Sequence, residues 1–330
     1  MPPTTSSPYA SLTPDLILDA LDSVGLRGDG RLLALNSYEN RVYQVHLEDD
    51  STIVVKFYRP LRWSDAQILE EHAFVAELTE REIPAVAPIL FASGGTLSQF
   101  ADFRFAVYPR CGGRTPELDD PATLEWMGRF IGRIHAVGAL HPFKERPTLD
   151  IATFGDEPRA FLLMHNFIPA DLVAAYGSVS SMALAGIRQL FERARDVSTL
   201  RLHGDCHASN VIWDGDGPHF VDFDDSRVGP AVQDLWMLLS GEREAMTQQL
   251  SAVLSGYEDF CAFDARELHL IEALRTLRLI HYAGWIARRW DDPAFPAAFP
   301  WFNTQRYWQD RILELREQIA LMDEAPLQVA

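Results

Sequence analysis

Asp205, Asn210 and Asp222 stand in an order and spacing that suit one kind of chemistry. An aspartate can accept the proton of an attacking hydroxyl, and an asparagine five residues on can ligate magnesium from the far end of the same loop. A further aspartate beyond a hairpin can bridge the metal to phosphate oxygens. The surrounding residues fit those roles. Leu202-His203-Gly204-Asp205-Cys206-His207-Ala208-Ser209-Asn210 runs into the apolar Val211-Ile212-Trp213, and Phe220-Val221 precedes Asp222-Phe223-Asp224. The two apolar stretches predict short paired strands, with Asp214-Gly215-Asp216-Gly217 as the turn between them.

Other chemistries fit less well. A bare H-x-D-x-x-x-x-N is a weak pattern, and the hairpin with its second aspartate is what sharpens it. The structural alternative makes Asp205 and Asn210 turn residues and His203 a satisfied core histidine. Glycoside hydrolysis would use two carboxylates but leave Asn210 idle. His203 and His207 lie four apart, yet on a loop rather than a zinc-protease helix, and magnesium suits the oxygen donors better.

A second conspicuous residue is Lys56, set in the apolar run Ile53-Val54-Val55-Lys56-Phe57-Tyr58. A lone strand lysine usually faces solvent. A strand lysine with a glutamate on the next helix, however, grips nucleotide phosphates in kinase-like enzymes. The next helix offers Glu71, with Glu70 as the alternative, and both also suit a solvated helix face.

The elements that must position these groups follow from periodicity. Leu16, Ile17, Ala20, Leu21 and Val24 recur at helical spacing behind Thr13-Pro14-Asp15. Alternation over Arg41–Tyr58 with an acidic turn at Asp49-Asp50 predicts two antiparallel strands, and Ser64–Glu80 returns to helical spacing until Pro84 and Pro88. Strand-like runs at Ile89-Leu90-Phe91 and Phe103–Tyr108 follow. Strand, strand, helix, strand, strand describes a small α+β lobe. Farther on, Glu125–Val137 reads as a helix whose Gly128 and Gly132 permit close packing, with His135 in a structural role. Residues 230–240 and 266–290 carry helical stripes of Leu, Ile, Trp and Met. Arg275, Arg278, Arg288 and Arg289 concentrate positive charge, either to pair with surplus carboxylates or to line a substrate side; Phe295, Phe299, Trp301 and Phe302 form an aromatic loop that caps the core or meets a partner.

Composition narrows the classes. The 330 residues suggest roughly two domains, and 47% hydrophobic with 23% charged residues describes an ordinary globular chain. A formal charge of -18 argues against nucleic acid or an acidic membrane surface as partner. There is no apolar run long enough to span a bilayer, and Met1-Pro2-Pro3-Thr4-Thr5-Ser6-Ser7-Pro8 lacks the pattern of a signal peptide, so a cytoplasmic location is expected. Cys111, Cys206 and Cys261 are scattered and read as small buried hydrophobes. Cys206, next to Asp205, is a candidate redox-sensitive position.

Long literal runs resemble the aminoglycoside phosphotransferase or choline-kinase-like branch of the protein-kinase-like fold, and within it the bacterial stress response kinase A family (YihE/RdoA). They are Leu35-Asn36-Ser37-Tyr38-Glu39-Asn40-Arg41-Val42-Tyr43-Gln44, Val54–Pro60, Leu202–Asn210, Gly229–Leu239 and Ala287–Pro296. The resemblance implies a bilobal α+β fold: a small β-rich ATP-covering lobe over residues 1–107, a hinge over 108–113, and a mostly helical lobe over 114–330. It implies Asp205 as proton acceptor, Asn210 and Asp222 as magnesium ligands, and Lys56 as the phosphate-gripping lysine. Ser37 would contact nucleotide, Tyr108 would begin the hinge beside adenine, and Asp234 would brace the catalytic loop.

It further implies ATP and Mg2+ as cofactors, with serine and threonine hydroxyls of proteins, its own included, as acceptors in a stress response. We expect a monomer. The alternatives are a kinase for a small hydroxyl compound of the choline, aminoglycoside or homoserine type, or a nucleotide-binding pseudokinase, against which the full set Lys56, Asp205, Asn210 and Asp222 speaks. No G-x-G-x-x-G is present, so Asn36–Arg41 must cradle phosphate with polar side chains and backbone N–H groups. Between Asp222 and Gly229-Pro230 there is no room for a long activation segment.

Overall fold

The computed structural model describes residues 8–215 and 217–329. The lead over residues 1–7, and Asp216 of the expected hairpin turn, lie outside the described residues. The chain divides into two units. One comprises the residues to Glu117 together with Phe143–Arg146 and His207–Ser226; the other comprises Leu118–Pro142, Pro147–Cys206 and the chain from Arg227 onward.

In the first unit, α1 (Pro14–Asp22) is capped by Thr13, whose side chain accepts from the Leu16 N–H. A five-stranded antiparallel sheet follows, from β1 (Gly28–Ala34), β2 (Arg41–Leu47), β3 (Thr52–Phe57), β4 (Ser98–Phe100) and β5 (Phe103–Pro109), in spatial order β1-β2-β3-β5-β4. α2 (Asp65–Glu80) lies between β3 and β4 in sequence and starts with a complete Ser64/Gln67 capping box. Ile17, Leu21, Val45, Val55, Phe57, Phe103, Phe105 and Val107 fill the core.

Two local expectations need correction. β1 is an additional strand that alternation did not reveal, because its Gly28-Asp29-Gly30-Arg31 start is polar and the strand is an exposed edge. Ile89-Leu90-Phe91 is extended but not a strand. Pro88 and the turn closed by Phe91 N–H to Gly95 O limit its pairing, and Ile89 N–H reaches Val107 O at 2.7 Å.

The second unit is helical. α3 (Pro121–Gly138), α4 (Glu157–Met164) and α5 (Val173–Arg193) precede the strand β6 (Leu200–Leu202). Two strands of the first unit, β7 (Val211–Trp213) and β8 (Pro218–Phe220), form the expected antiparallel hairpin. β9 (Arg227–Gly229) then pairs with β6 in the second unit. Next come α6 (Val232–Trp236), α7 (Arg243–Tyr257), α8 (Ile271–Arg288), α9 (Ala294–Ala298) and α10 (Gln305–Asp323). The stripe read over 230–240 yields only the five-residue α6.

Close packing at Gly128 and Gly132 is realised between α3 and α7. A Cβ at Gly128 would lie 1.9 Å from the Val253 carbonyl oxygen, and one at Gly132 would lie 2.6 Å from that of Tyr257. The aromatic loop caps the core, with Phe295 and Phe302 fully buried. No helix among the described residues is long and apolar enough to cross a membrane.

Candidate active site

In the first unit, Lys56 projects from β3 with its side chain only 7% exposed, which reverses the solvent-facing expectation for a strand lysine. Its Nζ lies 2.8 Å from Asp222 Oδ1 and 3.2 Å from Asp224 Oδ1. Burial disfavours the ammonium, but the Asp222 and Asp224 carboxylates outweigh it and hold the Lys56 pKa well above the ordinary lysine value. Asp222 follows the β7–β8 hairpin in the left-handed conformation (φ 59°, ψ 60°), which is costly for a residue with a Cβ. Its side chain remains 54% exposed while holding Lys56.

Asp224 does a different job. It is 3% exposed and accepts from the Asn40 amide at 3.1 Å and from the Arg62 guanidinium. Burial would raise its pKa, but Arg62 and Lys56 hold it below the ordinary carboxylate value. Arg62 also grips Asp225 at 2.8 Å. Arg146, stacked over Trp63, donates to the Asp224 and Ser226 carbonyls. Asn40 additionally accepts the Arg59 N–H at 3.0 Å, and Arg59 meets Glu39 at 3.0 Å. The side chains of Glu39 and Asn40 thus tie the unit's own frame together, whereas Asn36 is exposed and Ser37 half-buried.

The two glutamates separate. Glu71 is 2% exposed and lies close enough to Lys56 to feel its charge, yet the direct ion pairs of Lys56 go to Asp222 and Asp224. Burial pushes the Glu71 carboxyl up to about 7 despite Lys56 and Arg146, and its Oε2 has no hydrogen-bond partner among the described residues. Glu70 instead accepts the backbone N–H groups of Lys144, Glu145 and Arg146, tying that segment to α2. The Tyr108 phenol turns inward to Tyr58 Oη at 3.0 Å, and Tyr58 Oη lies 2.7 Å from His72 Nε2. The Tyr108 side chain is therefore engaged within the first unit. Asn210 is half-buried, and its carbonyl accepts the Val221 N–H, fastening the loop end to the hairpin. Asn210 and Asp222 together offer hard oxygen donors of the type magnesium takes.

In the second unit, Asp205 sits just after β6 with its side chain 23% exposed and its Oδ1 2.6 Å from Arg278 Nη1. The loop is braced from beneath. Asp234, 1% exposed, accepts the Gly204 N–H at Oδ1 and the His203 N–H at Oδ2, both at 2.8 Å. His135 is fully buried and reaches Asp234 Oδ2 and Tyr257 Oη, both at 3.0 Å, so it is structural. Gln233 donates to the Gly204 carbonyl at 3.1 Å, and Glu267 accepts the Val232 N–H at the start of α6.

Cys206 corrects the redox expectation: it is 1% exposed, and burial together with Asp234 and Asp205 drives its thiol well above the ordinary value, the opposite of a reactive thiolate. Cys111 and Cys261 are only partly buried, against the reading of all three as buried hydrophobes.

Sequence reasoning missed Asp224, Arg62 and Asn40 as a cluster, and did not single out Arg278 from its neighbours. Of the other arginines, Arg275 pairs with Glu272 at 3.2 Å and Arg288 approaches Glu157 at 3.9 Å, whereas Arg289 lies over the Trp285 ring at 5.4 Å. Only one Ser or Thr, Ser226, falls between Asp222 and Val232, and it is fully buried.

The phosphotransferase enzyme family (APH) matches residues 31–271. Stress response kinase A of Escherichia coli (strain K12) is 46% identical over 321 residues, covering 97% of each protein. Serine/threonine protein kinase RdoA of Salmonella typhimurium is 44% identical over the same share of both chains. Among solved structures, the amicoumacin kinase hAmiN, in complex with AMP-PNP, Ca2+ and Ami, aligns with a TM-score of 0.72 at 20% identity, covering 95% of this chain and 94% of that one. A microcompartment-associated aminopropanol kinase aligns at 0.71 and 18%, covering 94% and 97%. At such identities the likeness is one of fold, and it agrees with the bilobal α+β class.

Proposed function

The chain belongs to the phosphotransferase enzyme family, in its stress response kinase A (RdoA) branch, and from that premise we propose that it transfers the γ-phosphoryl of ATP to serine and threonine hydroxyls of proteins, its own included. One observation carries the phosphoryl-transfer part of this reading: a buried strand lysine held 2.8 Å from an aspartate that adopts a strained backbone and keeps its side chain half exposed. In this reading Asp205 orients the acceptor hydroxyl and takes its proton. Lys56 offsets phosphate charge, and Ser37 and the Tyr108 backbone contact the nucleotide, at the start of a hinge over residues 108–113. Glu71 stabilises Lys56 through its field. Asn210 and Asp222 would hold magnesium, which neutralises charge on the transferring phosphates. Positioning and electrostatics then supply most of the rate enhancement. A cytoplasmic monomer serving a stress response belongs to the same proposal.

A small hydroxyl compound is the second reading, favoured by the fold neighbours named as amicoumacin and aminopropanol kinases. The test is incubation with γ-labelled ATP and magnesium, with and without a generic protein substrate, beside Asp205→Ala. Label on serine or threonine that vanishes in the variant supports protein phosphorylation. ATP consumed only when small hydroxyl compounds are added moves the acceptor to a metabolite. Absence of any magnesium-dependent turnover leaves a pseudokinase.

A further inference from the structure

Arg278 bonds the very carboxylate that the proposed function uses as base. Its Nη1 lies 2.6 Å from Asp205 Oδ1 and 3.9 Å from the Met237 thioether, and its side chain is 42% exposed. A guanidinium carries five N–H donors. Among the described residues only Nη1 is engaged, which leaves donors for a second acceptor beside Asp205. A surface ion pair contributes little to stability, so the placement calls for another account.

We infer that Arg278 is a specificity-determining residue that binds a carboxylate adjacent to the acceptor hydroxyl, so that the preferred substrate is a serine or threonine flanked by an acidic residue. The inference rests on the reading of Asp205 as base. A guanidinium at the base repels an amino alcohol and pairs with a carboxylate. The overall charge of -18 does not oppose a local contact, because salt screens exposed charges that lie farther off than about 10 Å.

The test uses the full chain and three peptides that differ only beside one serine: aspartate, alanine or lysine. Wild type should favour the aspartate peptide over the alanine peptide about tenfold in kcat/KM, mainly through KM. Arg278→Gln should reduce that ratio to about twofold, and Arg278→Lys, which keeps the charge, should restore part of it. An acid preference that survives in Arg278→Gln, or a wild-type preference for the alanine or lysine peptide, overturns the inference. If no peptide is phosphorylated, the protein-kinase reading fails, and glycerate against 1-amino-2-propanol becomes the deciding pair. Preference for glycerate that Arg278→Gln abolishes upholds the role of Arg278 with a small hydroxy acid, whereas preference for the amino alcohol, or turnover of neither, ends it.

Discussion

Replacing Asp234 by asparagine removes one charge and one acceptor with almost no change of shape. Asp234 Oδ1 and Oδ2 each accept a backbone N–H, from Gly204 and His203 at 2.8 Å, and Oδ2 also meets His135 Nε2 at 3.0 Å. Asparagine keeps one oxygen, so one of the two N–H groups must face an NH2 donor. Losing a hydrogen bond to a charged acceptor costs about 1.5–3 kcal/mol, and a buried donor left unsatisfied adds about 1–3. The side chain is 1% exposed, so water does not compensate, and the expected loss is about 3–5 kcal/mol. Urea unfolding followed by circular dichroism measures it. His135→Gln serves as comparison and should lose less, because the Gly204 contact and the Asp234 charge survive. A loss below about 1 kcal/mol for Asp234→Asn would refute the reasoning, since it would mean that Asp234 is not the anchor of the loop before Asp205.

Further outcomes follow from the packing and the buried charges. Gly128→Ala should destabilise by at least about 1–3 kcal/mol in a urea melt, because its Cβ would meet the Val253 carbonyl at 1.9 Å and backbone must move. Glu71 is raised from 4.5 to about 7, so between those values the folded chain binds a proton that the unfolded chain has lost, and stability falls as pH rises. Glu71→Gln should lessen the fall between pH 5 and pH 8 by an amount on the order of 3 kcal/mol; parallel profiles for the two proteins would show that Glu71 does not titrate in this range. Peroxide should affect wild type and Cys206→Ala equally in a phosphotransfer assay, since the thiol is buried and its thiolate disfavoured.

Local periodicity carried most of the first unit, whereas α4, α5, α7 and α10 of the second were not read from it. The α2 start at Ser64 and the hairpin β7–β8 follow from near neighbours, because capping and turn chemistry are decided within a few residues. β1 escaped because its exposed residues carry no alternating pattern, and Ile89-Leu90-Phe91 misled because strand propensity does not report whether a partner is available. At the site, spacing pointed to Lys56 and Asp222, which the fold brings to 2.8 Å. It did not show that Lys56 is clasped by two aspartates, nor that Asp205 is bonded to Arg278. Those partners lie far away in sequence, and long-range pairing leaves no local trace. Glu70 and Glu71 illustrate the same limit: adjacent and chemically alike, they part only when burial is known.

Asp224 has a consequence for how this sequence can change over generations. Protein kinases commonly place glycine at the third position of D-F-G, whereas here that position joins Lys56, Arg62 and Asn40. A one-step drift to glycine would leave Lys56 with Asp222 alone and Arg62 leaning on Asp225, and would take from the Asn40 amide its acceptor. Replacing Arg62 or Asn40 first would in turn take a partner from the buried Asp224 carboxylate. A change at any one of the four positions therefore alters what the other three are bonded to.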